Sequence, residues 1–238
     1  MQSIDRAAAG LLGLLVGAGL AVGGWFVGNG LFAARATERF VTVKGLAERQ
    51  VPADLVVWPI VFGATGDDLI QLQAEMDGAS GRVREFLGGQ GFGGEEIGVS
   101  TPRITDFNAQ GYGQQGGPRD RYSAEVTMTL RSGRLAAVQA AMQRSGELVK
   151  AGVALRQSYE YQTEYFFTDL ESVKPEMIAE ATRDARRAAE QFAHDSGSRV
   201  GAIRNATQGY FSVEPRDRFS PEHKTIRVVN TVQFFLEE

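Results

Sequence analysis

The chain is 238 residues long, with 25 Lys and Arg against 29 Asp and Glu, a formal charge of −4 and no cysteine. The missing thiols exclude disulfides, thiolate metal sites and a cysteine nucleophile, and the mildly acidic balance leaves no electrostatic footprint for nucleic acid. The roughly 200 residues beyond the N-terminal stretch suffice for a sizeable core without covalent staples.

Residues 7–34 carry no charged side chain and are bracketed by Asp5–Arg6 and by Arg35. As a helix this stretch extends about 42 Å, more than the hydrocarbon core of about 30 Å. It predicts a single transmembrane helix: residues 1–36 read as a membrane anchor whose partner is the lipid bilayer, and residues 37–238 as a separate domain. A cleavable signal peptide has an apolar core of roughly 7–15 residues before a small-residue site. Ala34-Arg35-Ala36 has the form of such a site. The apolar run is far too long, however, and Arg6 before it is offset by Asp5, so the helix is expected to remain. Within it, Gly13/Gly17, Gly19/Gly23 and Gly24/Gly28 have G-x-x-x-G spacing, which lets two helix backbones approach closely in lipid. Glycine is also common in membrane helices in general, so packing and mere composition both stand as readings. Arg35, Arg39, Lys44 and Arg49 outnumber Arg6. That bias favours a cytoplasmic domain, yet long domains translocate largely regardless of flanking charge, and the residues leave the orientation open.

Phe40-Val-Thr-Val-Lys-Gly45 alternates as a strand does, and residues 52–63 form a second strand opened by Pro52. Thr65–Asp68 offer caps for a helix with Leu69, Leu72, Met76, Ala79, Val83 and Phe86 at steps of three and four, ended by Gly88-Gly89-Gln90-Gly91. Residues 97–107 and 121–131 read as strands joined by a Gly/Gln-rich loop at 109–118, either a mobile hairpin tip or a partner-binding one. A short helix is predicted over 134–149. Residues 155–168 read as a strand with Tyr159, Tyr161, Thr163 and Tyr165 alternating. A long helix follows, opened at Thr168 or Ser172 with Pro175 in its first turns. Its apolar stripe is Met177, Ile178, Ala181, Ala185, Ala188, Ala189, Phe192 and Ala193, and Gly197 stops it. Residues 201–213 and 224–236 are closing strands. Each half thus runs strand–helix–strand–strand, which predicts an α+β domain with its helices on one sheet face.

No reaction centre stands out, so no catalytic residue, metal or cofactor is expected. His194 and His223 have no second histidine at ligand spacing. Gly89-Gln-Gly91-Phe-Gly-Gly94 spells G-x-G-x-x-G, but it lies between a helix and a strand, the reverse of the order a dinucleotide site needs. Glu160 and Glu164 share a strand face on this reading. They are either an acid–base pair or the solvated face opposite the tyrosines, and no neighbouring signal fixes a substrate. Tyr159, Tyr161, Tyr165, Phe166 and Phe167 are core packing or, on the sharper reading, an interface.

Phe40-Val-Thr-Val-Lys-Gly-Leu-Ala-Glu48 followed by Pro52-Ala-Asp54 resembles the start of a SIMPL-domain protein. The run from Lys174 to Gly201 resembles that family's long Ala-rich helix, and Gly209-Tyr-Phe-Ser follows in the expected strand. The resemblance covers residues 38–238 and rests on structural motifs, none of them catalytic. It implies an exported, non-enzymatic protein of the bacterial envelope, linked loosely to stress defence, because the family includes a periplasmic immunogenic protein that forms ring-like oligomers. It therefore implies a homo-oligomer, single-pass in the inner membrane with the domain in the periplasm, and leaves open a regulatory module that docks on another envelope protein. Many relatives carry a cleavable signal peptide where this chain has a long anchor.

Overall fold

The structure is a computed structural model that describes residues 6–36, 39–109, 120–157 and 160–238. An uninterrupted helix, α1 (Arg6–Ala36), occupies the charge-free stretch. Its segment Gly10–Asn29 has the length and apolarity to cross a membrane and is not buried against the protein. In chain order there follow β1 (Phe40–Pro52), β2 (Leu55–Gly66), α2 (Leu69–Gly89), β3 (Ile97–Val99), β4 (Arg103–Asp106), β5 (Tyr122–Ser132), α3 (Leu135–Gln143), α4 (Gly146–Lys150), β6 (Glu164–Phe166), α5 (Leu170–Asp195), β7 (Arg199–Thr207), β8 (Ser212–Pro215) and β9 (His223–Glu237). The fold is α+β, and the order strand–helix–strand–strand recurs in β2–α2–β3/β4–β5 and β6–α5–β7/β8–β9. The chain packs into two compact units, each assembled from separate stretches.

One unit comprises Glu48–Pro175 and Ser212–Arg227. Its five-stranded sheet has the order β3-β5-β2-β6, with β4 also on β5. β2 and β5 pair without interruption from Val56↔Ser132 to Gly66↔Tyr122. Strand alternation places Val56, Trp58, Ile60 and Phe62 beside Ala124, Val126, Met128 and Leu130 on one face,. α2 closes that face with Leu72, Met76, Ala79, Val83 and Leu87. Leu87 rather than Phe86 takes the last core position. Asp68 opens α2 by accepting the N–H groups of Ile70 and Gln71 at 2.8 and 2.9 Å,. Gly91, at φ 83°, ends it in a left-handed turn that favours glycine,. The G-x-G-x-x-G run is thus a helix end and a turn.

The other unit comprises the chain up to Ala47, Glu176–Phe211 and Val228–Glu238. There β7 pairs with β9, and Val43, Ala185, Ala189, Val232 and Phe234 form a core. α5 buries Met177, Ala181, Ala185, Ala189 and Ala193, one residue every four. Phe192, which the sequence assigns to this stripe, is turned by about 100° from the adjoining buried Ala193 and is 60% exposed. The small side chains have a steric cause. A Cβ on Gly45 of β1 would overlap Ala181 O and Ala185 N, so strand and helix meet backbone to backbone. Asp184 locks the contact by accepting Leu46 N–H at 2.9 Å. That bond and the Arg187 guanidinium hold the Asp184 carboxyl below the usual range.

Five predicted boundaries need correction, and two of the departures have a proline cause. Pro52 closes β1 instead of opening β2. Ala53 N–H then donates to Glu222 O and Asp54 N–H to Phe166 O, at 2.8 and 2.9 Å, so the chain leaves one sheet for the other within two residues. The strand predicted over 97–107 is two strands. The register moves from Val99↔Met128 to Arg103↔Glu125, leaving one extra residue between β3 and β4, where Pro102 has no N–H to give. The strand predicted over 155–168 is reduced to a bridge at Leu155 and the three residues of β6. Along that edge of β2, Gly63 N–H and Val61 C=O bond to Ala154 and Arg156. By alternation Pro59 also faces this edge and cannot donate, so the ladder breaks there. The helix over 134–149 splits into α3 and α4 around Arg144–Ser145, and the strand over 201–213 splits into β7 and β8.

Candidate functional site

The break at Pro59 and the irregularity at Pro102 create a groove on the outer face of the five-stranded sheet. Val57 and Pro59 of β2 and Glu125, Thr127 and Thr129 of β5 form its floor. Ser100–Arg103 make one wall and Glu160, Tyr161, Gln162 and Glu164 the other, enclosing about 650 Å³. Ser100 holds its wall in place: its N–H donates to Thr127 O at 2.9 Å, and its Oγ accepts Thr127 N–H at 3.0 Å. Arg103 Nη2 lies 3.4 Å from the Tyr161 hydroxyl across the opening. Glu125 is 3.6 Å from Arg156 Nη1, and Arg156 also donates to Ser123 Oγ at 3.3 Å. The groove is a bed of hydroxyls with carboxylates on its rim. It brings Glu160 and Glu164 together with Tyr161, against the expectation that alternation puts the tyrosines on the opposite face. That expectation assumes a strand, and between Gln157 and Thr163 there is none among the described residues.

On the other side of β6 a second cleft of about 400 Å³ is lined by Thr163, Glu164, Tyr165, Phe166, Phe167, Val213, Pro215, Pro221 and Lys224. It separates β6 from β8, which pairs with β9 from Ser212↔Arg227 to Pro215↔Lys224. The aromatic cluster is therefore divided. Tyr161 belongs to the first groove; Tyr165, Phe166 and Phe167 belong to the second cleft, with Tyr165 also packed against the core. Tyr159 lies outside the described residues, as do residues 110–118 of the Gly/Gln-rich loop. Sequence reading misses Arg103, Ser100, the two threonines and Lys224. Only Lys224 has a usable signal: it is two residues before Ile226 in an alternating strand, hence on the buried face.

His194 stays at the surface and His223 is half-buried, each beside an acid. His194 Nδ1 is 3.4 Å from Asp195 and His223 Nδ1 is 3.3 Å from Glu222. Among the described residues no group of three His, Asp or Glu is placed to hold a metal ion. In α1, Gly13, Gly17, Gly19, Gly23, Gly24 and Gly28 have open space where a side chain would stand. At about 100° per residue they divide between two faces: Gly13, Gly17, Gly24 and Gly28 form one narrow stripe, and Gly19 and Gly23 lie away from it.

The model of the SIMPL family, described as a protein of unknown function (DUF541), matches residues 41–234. No curated protein matches the chain.

Proposed function

Because the chain belongs to the SIMPL family and begins with a helix apolar enough to span a bilayer, we propose that it is a membrane-anchored assembly protein of the cell envelope. In this reading α1 stays in the inner membrane and the domain stands in the periplasm, where copies associate through their helices and domains without catalysing a reaction, in a role tied to stress defence. The observation that carries it is the open glycine stripe along Gly10–Asn29, a segment that is not buried against the described residues. Lipid offers no hydrophobic drive for helices to associate, so close backbone packing must supply it. Tethering in one membrane also raises the effective concentration at which the domains meet.

A reporter active only outside the cytoplasm, fused after Glu238, tests the orientation and is expected to be active. Activity from a cytoplasmic reporter alone would show that Arg35, Arg39, Lys44 and Arg49 obey the charge rule. The mass of membrane-extracted protein is expected to include residues 7–34; a product starting at Thr37 would identify Ala34-Arg35-Ala36 as a cleavage site.

The groove beside Pro59 favours a second reading, as a module that docks on another envelope protein or, with Glu160 and Glu164 as its acid and base, as an enzyme. Turnover of a hydrolase substrate that disappears in Glu164→Gln would replace the assembly reading by the enzymatic one. A stoichiometric partner co-purifying at native expression would replace it by the docking one.

A further inference from the structure

Lys224 is the one charged side chain among the described residues that is more than nine-tenths buried, at 7% exposure. The alternation of β9 imposes this position. Lys224 falls in phase with Ile226 and Val228, which are fully buried or nearly so, and it lines the cleft between β6 and β8. Its ammonium makes no hydrogen bond or ion pair of 4 Å or less among the described residues; it is not one of the buried atoms without a partner, and the charge of Glu164 acts on it. The walls tell which ligand such a cation would take: Tyr165, Phe166, Phe167, Val213 and Pro215 offer hydrocarbon, and Thr163 and Glu164 are the other polar side chains of the lining.

We propose that this cleft binds a small apolar carboxylic acid, with an aromatic or short aliphatic body against Phe166, Phe167 and Pro215 and its carboxylate on Lys224. The size suits such a ligand, since about 400 Å³ lies near the lower end of small-molecule sites,. The charge suits it as well. The Lys224 stem is buried while its ammonium stays open to the cleft with no carboxylate in salt-bridge contact, and a ligand carboxylate supplies that contact against largely apolar walls,. Burial already pushes the Lys224 ammonium below the usual lysine range, and only the charge of Glu164 opposes that shift. Glu164 stands at the rim and competes with an incoming anion for the same cation, so its removal strengthens binding. This site is independent of the assembly reading and needs no association between copies.

Fluorine NMR titration of the full-length chain in detergent, with 4-fluorobenzoate and the neutral 4-fluorobenzyl alcohol as probes and protein-free detergent as the blank, tests the proposal. The benzoate is expected to bind at least ten-fold more tightly than the alcohol. Lys224→Met, which keeps the hydrocarbon stem, should abolish that preference. Lys224→Arg should keep it, and Glu164→Gln should tighten the benzoate several-fold while leaving the alcohol unchanged. Equal binding of the two probes to the wild-type chain, absence of binding, or a preference that survives in a folded Lys224→Met would overturn it. If Lys224→Met fails to fold, an unchanged benzoate affinity in Glu164→Gln would overturn it equally.

Discussion

Asp54 shows how much of the fold can rest on one side chain. Its carboxylate accepts the N–H groups of Thr168 and Asp169 at 2.8 and 3.0 Å and the Thr168 hydroxyl at 3.1 Å, at the threshold of α5. A carboxylate at a helix N-terminus satisfies orphan donors and complements the helix dipole. Asp54→Ala is expected to lower stability by about 1–2 kcal/mol, read from the midpoint of urea unfolding, with Asp54→Asn recovering part of the loss. Arg134 and Glu96 do comparable work at the end of α2. Arg134 Nη2 lies 3.1 Å from Gly91 O and 2.7 Å from Glu96, and its guanidinium sits 4.7 Å from the centre of the Phe92 ring. Hydrogen bonds from the Ser132 hydroxyl, Gly93 N–H and Arg134 hold the Glu96 carboxyl below its usual range. A carboxyl whose pKa is lowered by folding stabilises the folded state above its unfolded pKa, and that contribution is lost as the pH falls through the lowered value. Glu96→Gln should therefore be less stable than wild type at neutral pH, with the gap closing in acid below the ordinary glutamate range. A gap that is unchanged at acid pH contradicts this account.

At the scale of the elements, Pro59 matters most for the groove, because it removes one donor from the edge of β2 and lets Gln157 and residues 160–163 leave the sheet. Pro59→Val restores the donor. It is expected to extend the ladder between Leu155 and β6 and to close the groove, seen as slower amide hydrogen exchange from Tyr161 to Thr163. Unchanged exchange would mean that the wall is held out by its own contacts. The same residue separates what the sequence makes legible from what it hides. α2 and α5 are legible because a stripe of Leu, Met and Ala every three or four residues suits a helix and fits a strand poorly, and the halves repeat in the expected order. The strand over 155–168 is not, because alternation in the strand itself says nothing about a donor missing from its neighbour. Pro52 falls to the wrong strand because a proline suits a strand end as well as a strand start. The groove is not legible at all, since its walls at 100–103 and 160–164 are far apart in sequence and meet only through the register of β2 with β5. Alternation places Gly45 correctly in a strand, yet it carries no sign of the partner backbone in α5.

For the molecule as a whole, the glycines of α1 offer a test with an internal control. Gly17 and Gly24 lie on the narrow stripe, and Gly19 and Gly23 do not. Gly17→Leu with Gly24→Leu is expected to weaken association of detergent-extracted protein at least several-fold and leave the circular dichroism of the domain unchanged. Gly19→Leu with Gly23→Leu should have a much smaller effect. Equal effects from the two pairs would assign the association to general helix properties instead of close packing at one face. The membrane reading, the proposed export of the domain and the glycine stripe all converge on self-association. The most direct test is the mass of the full-length, detergent-extracted chain by light scattering corrected for bound detergent. A particle of several subunits, persisting on dilution, is the predicted result; a monodisperse monomer would contradict the account.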